Sequence, residues 1–255
     1  MKDAPFRCVF CIIDTTMNKY SKVIIKISGE ALADRADATI LSEEALNTVA
    51  EAVRKVSDLG VKIGVVVGAG NIWRGRLAET IGIEPATGDY MGMLGTIINA
   101  LALQSAFEEK GLQTRVMSSI NVPQVCEPYI RRKAIHHLDK HRVVIFAGGT
   151  GNPFFTTDTT ATLRAREVGA EAILMGKNSV EGVYDSDPRV NKNAKLIRHL
   201  TFHQLVEQKL GVMDLTAVTM LEDTNIEIRV FNMQTPEDMI RVIQGEDLGS
   251  TIAKE

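Results

Sequence analysis

Cysteine is scarce in this 255-residue chain, and neither sign of charge dominates. Cys8, Cys11 and Cys126 are an odd count in a long chain, which argues against a disulfide framework and for a reducing compartment. Cys8 and Cys11 form a C-x-x-C, but no paired Cys or His follows to complete a zinc site, so the spacing reads as inert. A net charge of −3 supplies no basic field for nucleic acid or an anionic membrane, and neither is expected as a partner. Residues 6–13 are apolar but too short to span a bilayer and lack a small-residue cleavage site, so no signal peptide is read there.

Several catalytic signatures are missing too. Gly176-Lys177 is followed by Asn178 rather than Ser or Thr, so no GxxxxGK[ST] phosphate loop exists. HRD, DFG and GxSxG are absent, which excludes a protein-kinase-like site and a nucleophile-elbow hydrolase.

What is present is alternation. Strand-like runs at residues 23–27, 61–67, 114–117, 142–146, 172–175 and 226–231 alternate with helical spacings at 42–59, 89–111, 129–138, 159–168, 201–210, 214–223 and 236–244. Such a pattern predicts an α/β fold whose mostly parallel sheet is covered on both faces and whose ligands lie beyond the carboxyl ends of the strands. One domain over residues 20–255 is expected, with 1–19 an extension outside it. Four strand ends run into glycine-containing loops: Ser28-Gly29, GAGNIWRG (68–75), GGTGNPFFTTD (148–158) and GKNSVEGVYDSDP (176–188). Glycine amides followed by a helix N-terminus make an anion site, and phosphate is the obvious guest.

Individual residues carry two readings each. Lys26 ends a buried strand, so it either snorkels to the surface or faces an anion. Arg74 is a phosphate fork or a solvated loop charge. Asp89 caps a helix or accepts from a ribose. Thr150, Thr156, Thr157 and Asn152 line a ligand loop, or else that loop is a plain connection with Asp158 as N-cap and Phe154 and Phe155 in the core. Tyr184 beside Asp187 stacks on a base or is core. Arg131, Arg132, Lys133, His136 and His137 read as a solvated face. A lysine, an arginine, glycine amides and helix N-termini gathered at one edge suit phosphoryl transfer, which asks for positioning and charge neutralisation rather than a protein nucleophile.

KISGEAL (26–32), GAGNIWRG, GDYMGM (88–93), GTGNPFFTTD, NSVEGVYDSDP and VMDLTA (212–217) together resemble the bacterial UMP kinases of the amino acid kinase superfamily, from about Tyr20 onward. The resemblance implies a three-layer α/β/α fold, a cytoplasmic homohexamer, and transfer of a phosphoryl group from ATP to UMP in pyrimidine biosynthesis. It implies Lys26, Arg74, Asp158 and Asp214 as catalytic, and Lys26, Ile27, Ser28, Gly29, Gly70, Arg74, Asn178, Tyr184 and Asp187 on the ATP side. For UMP it implies Ala69, Asp89, Thr150, Gly151, Asn152, Pro153, Phe154, Phe155, Thr156 and Thr157. Mg2+ would be held mainly by the ATP phosphates, with no protein ligand. UTP inhibition and GTP activation are family properties, but residues 33–40 (ADRADATI) lack the glycines that GTP-activated members often carry. Ala69 stands where the family usually has glycine, and it fits only with a negative φ. A related amino acid or carbamate kinase, and a non-catalytic nucleotide sensor of the same fold, are the alternatives.

Overall fold

The computed structural model describes residues 18–34, 39–177, 180–188, 190–208, 210–233 and 236–254; the C-x-x-C, Asn178 and residues 35–38 lie outside them. The strands are β1 (Lys22–Ile27), β2 (Lys62–Val67), β3 (Thr114–Ser118), β4 (Glu127–Pro128), β5 (Val143–Ala147), β6 (Ala172–Lys177), β7 (Val183–Tyr184), β8 (Leu196–Ile197), β9 (His199–Thr201), β10 (Glu227–Asn232) and β11 (Ser250–Ala253). The helices are α1 (Glu43–Asp58), α2 (Arg76–Thr80), α3 (Pro85–Glu109), α4 (Arg131–Asp139), α5 (Thr157–Val168), α6 (Phe202–Glu207), α7 (Leu215–Thr219) and α8 (Pro236–Ile243).

Among the described residues nine strands form one sheet in the order β4-β3-β5-β2-β1-β6-β10-β11-β9, in which only the β10–β11 pairing is antiparallel. Because alternate side chains point to opposite faces, β1 buries Val23, Ile25 and Ile27 in one core layer and Ile24 in the other. The first layer is closed by α1, α3 and α8, the second by α4 to α7. This is the mostly parallel sheet covered on both faces that the alternation implied, and the three-layer α/β/α sandwich that the resemblance implied. Both faces of the central strands are dry, which is why they read as continuous apolar runs.

The structure corrects several local readings. Asp89 does not cap α3: the helix starts at Pro85, with Glu84 as N-cap. Asp158 does not cap α5; Thr156 does, its hydroxyl accepting from the amides of Asp158 at 3.0 Å and Thr159 at 3.2 Å. Phe154 and Phe155 are exposed rather than in the core. Tyr90, Leu94 and Ile98 form an exposed apolar stripe along α3 at i, i+4, i+8. His137 leaves the solvated face of α4: it is buried, its Nε2 3.4 Å from Glu127 Oε2, and burial holds its pKa below the usual value. The 176–188 segment contains β7, which pairs with β8. By length and composition α3 qualifies to cross a bilayer, yet half of its most apolar window is buried inside the fold.

Candidate active site

Strands β5, β2, β1 and β6 lie side by side, so the loops leaving their carboxyl ends meet. Gly68 N–H donates to Ile27 O at 2.9 Å, which draws the β2 loop against the β1 loop. A Cβ placed on Gly68 would lie 3.4 Å from Gly29 N and 3.5 Å from Thr157 Oγ1, so three loops converge within side-chain reach.

Parity places the lysines. Lys26 falls on the same face of β1 as Ile24, the face covered by α5, and there it forms an ion pair with Asp158 at 2.8 Å, the side chains 15% and 18% exposed. Lys26 is thus a partnered, mostly buried lysine beside a helix N-terminus rather than one that snorkels to the surface. Lys177 lies on the matching face of β6, in register with Ile173 and Met175. Burial pushes its ammonium pKa down, the charge of Lys26 pushes it further, and Asp158 offsets part of this. Sequence reasoning treated Lys177 only as part of an incomplete phosphate loop; its parity with Ile173 and Met175 was the signal.

Arg74 pairs with Glu30, and its Nε donates to Gly70 O at 3.4 Å. Ala69 is not among the residues with positive φ, so its N–H remains usable. Its methyl group faces Gly95 of α3, where an added Cβ would come within 2.9 Å.

A cavity of about 240 Å³ opens between α3 and the start of α5, lined by Val66, Ala69, Gly70, Trp73, Asp89, Met93, Thr96, Phe146, Gly149, Phe155, Thr156 and Thr157, among others. Asp89 Oδ2 accepts from Phe154 N at 2.7 Å and so holds a phenylalanine whose φ is +70°. Thr150, Gly151, Asn152, Pro153 and Phe154 do not line this cavity; they form its outer turn, in which Thr150 Oγ1 accepts from Asn152 N at 3.2 Å. Asp214 does not reach Lys26. It caps α7, accepting from Ala217 N at 2.9 Å, and accepts from the hydroxyls of Thr156 and Thr159. Burial raises its pKa, but those hydrogen bonds outweigh burial and hold it below the usual carboxylate range. Tyr184 sits in β7 and Asp187 in the turn that follows, past the carboxyl end of β6 and away from the cavity. Trp73, Met93, Thr96, Phe146 and Gly149 are lining residues that sequence reasoning did not single out.

Residues 21–232 match the model of the Amino acid kinase family. The chain is 52% identical over 234 residues to the uridylate kinase of Limosilactobacillus reuteri, covering 92% of this chain and 97% of that one. It is 50% identical over 237 residues to the uridylate kinase of Pediococcus pentosaceus, covering 93% and 98%. Of solved structures, the UMP kinase from Bacillus anthracis matches with a TM-score of 0.90 at 43% identity, over 92% of this chain and 97% of that one. The UMP kinase from Ureaplasma parvum matches with a TM-score of 0.86 at 38% identity, over 92% and 99%. The chain belongs to the amino acid kinase family, and within that family its similarity is to the uridylate kinases.

Proposed function

We propose that this protein transfers the γ-phosphoryl group of ATP to UMP, giving ADP and UDP in cytoplasmic pyrimidine nucleotide synthesis. The observation that carries the reading is the Lys26–Asp158 pair, standing where the β1, β2 and α5 loops converge beside a nucleoside-sized cavity. Lys26 neutralises charge on the phosphoryl group in flight, and Asp158 holds its ammonium in place. Lys177 adds a second positive charge next to Lys26 for the donor phosphates. Amides of Ile27, Ser28, Gly29 and Gly70, with Arg74, take phosphate oxygens. Ala69, Asp89, Phe155, Thr156 and Thr157 bound the acceptor: Asp89 takes the ribose through the oxygen not bound to Phe154. Thr150, Gly151, Asn152, Pro153 and Phe154 wrap it from outside. Asn178, Tyr184 and Asp187 take the ATP nucleoside, and Asp214 acts by fixing the first turn of α5.

Mg2+ would arrive on the ATP phosphates, where it would screen the charge of the donor. The Tyr90, Leu94, Ile98 stripe supports assembly of copies into a homohexamer, which a monomeric sedimentation coefficient would contradict. UTP inhibition and GTP activation enter as effector responses to be assayed alongside.

The decisive test is a coupled ADP-release assay across nucleoside monophosphates, glutamate, aspartate and carbamate. Turnover is expected with UMP. Turnover with a carboxylate or carbamate while UMP stays inert would replace the reading, as would tight binding of both nucleotides with no product. Lys177 gives a pH signature. Its lowered pKa means that its charge is lost at lower pH than that of an ordinary lysine, so kcat/KM for Mg-ATP should begin to fall on the alkaline limb below about pH 10.5. Lys177→Arg keeps the charge and should move that limb upward; an unmoved limb would remove Lys177 from the donor site.

A further inference from the structure

We propose that Arg164 is a positioning residue for the acceptor, acting through the peptide plane between Gly149 and Thr150. Arg164 lies in α5, is 3% exposed and does not line the cavity. Its guanidinium stacks on Tyr129, 3.8 Å from the ring centre, and NH1 donates to Glu167. The other nitrogen, NH2, donates to Ser119 Oγ at 2.7 Å and to Gly149 O at 3.3 Å, while Ser119 Oγ itself donates to Gly149 O at 3.0 Å.

The Gly149 carbonyl therefore receives two donors from behind the loop. Gly148, Gly149 and Gly151 all have positive φ, at +71°, +58° and +84°, so this is an irregular turn, closed by the Gly151 N–H bond to Gly148 O at 3.0 Å, and the Gly149 carbonyl is held by side-chain donors. A trans peptide holds C=O and the next N–H antiparallel. Turning the Gly149 carbonyl towards Arg164 thus aims the Thr150 N–H the opposite way, away from Arg164, and fixes the orientation of Gly149, which lines the cavity. From the front, Thr96 Oγ1 accepts from Gly148 N at 2.8 Å, so the glycine pair is pinned on both sides. A planar fork that stacks on a ring and donates in three directions suits this brace; a lysine ammonium at the same place has neither the reach nor the plane.

The proposal rests on UMP being the acceptor, and wild-type UDP formation tests that separately. Full-length Arg164→Lys and Ser119→Ala are compared with wild type in steady-state kinetics. UMP affinity is also read from the fluorescence of Trp73, the one tryptophan of the chain, which lines the cavity. Arg164→Lys is expected to raise both the UMP KM and its Kd by about tenfold, with the KM for Mg-ATP changed less than about twofold. Ser119→Ala should shift the same two quantities by less, and the double variant should fall short of the product of the single effects, because both groups act on one carbonyl. Equal rises in both KM values, or an unchanged UMP KM in a variant that melts as wild type does, would overturn it. Should Arg164→Lys not fold, an unchanged UMP KM in Ser119→Ala overturns it alone. A wild type that turns over no UMP overturns the acceptor reading instead.

Discussion

Lys26→Met should lower kcat for UDP formation by at least about 100-fold, corresponding to the loss of roughly 3 kcal/mol of transition-state stabilisation. In phosphoryl transfer the charge moves across the equatorial oxygens, and a cation fixed beside them is worth most where solvent is excluded. Lys26 is fixed in this way: its strand is dry on both faces, and its ammonium is paired with Asp158 at 2.8 Å. Methionine keeps the unbranched stem and its packing, so the fold should survive. Asp158 loses its ion-pair partner but retains the nearby charge of Lys177, and the stability cost is expected to be about 1–3 kcal/mol. The KM for UMP should change little, since the cavity is built by α3 and the α5 loop and Lys26 is not in its lining. A variant with near wild-type turnover would show that the charge comes from elsewhere, with Lys177 the first candidate.

The same residues show why some of this was legible in the sequence and some was not. The apolar run at residues 23–27 put Lys26 at the end of a buried strand, and the glycine loops marked one edge of the sheet as the candidate site. Their joint use of one edge follows from parallel topology, which the alternation of elements dictates. Local rules failed where a distant partner decides. Asp89 looks like a helix cap because Asp commonly is one, but Pro85 starts the helix four residues earlier and frees the carboxylate to hold Phe154 N–H, 65 positions away. Thr156 and Asp158 are both good caps. Thr156 takes the role, and the Asp158 carboxylate is directed to Lys26. Short strands such as β4, β9 and β11 run two to four residues, too short for any periodicity to register. Arg164 has no local signal at all: its partners Ser119 and Gly149 lie 45 and 15 positions away.

Gly29→Ala tests the convergence of loops on which the site depends, and should be more damaging than its single added methyl suggests. Gly29 is not among the glycines with positive φ, so alanine meets no backbone strain there and the effect is purely one of space. A Cβ would stand 2.5 Å from Asn71 Oδ1, 2.6 Å from Gly68 O and 2.8 Å from Gly70 N. Two of these are backbone atoms of the β2 loop. They cannot yield cheaply, because Asn99, fully buried in α3, donates to Gly68 O at 2.7 Å and to Asn71 Oδ1 at 2.8 Å. The added methyl must then wedge the β1 loop from the β2 loop, at a cost of about 1–3 kcal/mol in stability. The same displacement moves amides of both loops away from the phosphates, and a misplacement of about 1 Å is enough for a roughly 100-fold loss in kcat/KM for Mg-ATP. Gly211→Ala is the matched control, since nothing lies within 4 Å of a Cβ there and its φ is not positive; it should leave rate and melting temperature unchanged. Wild-type kcat/KM in Gly29→Ala would mean that the loops open without consequence, and the transfer site could not then be the place where they meet.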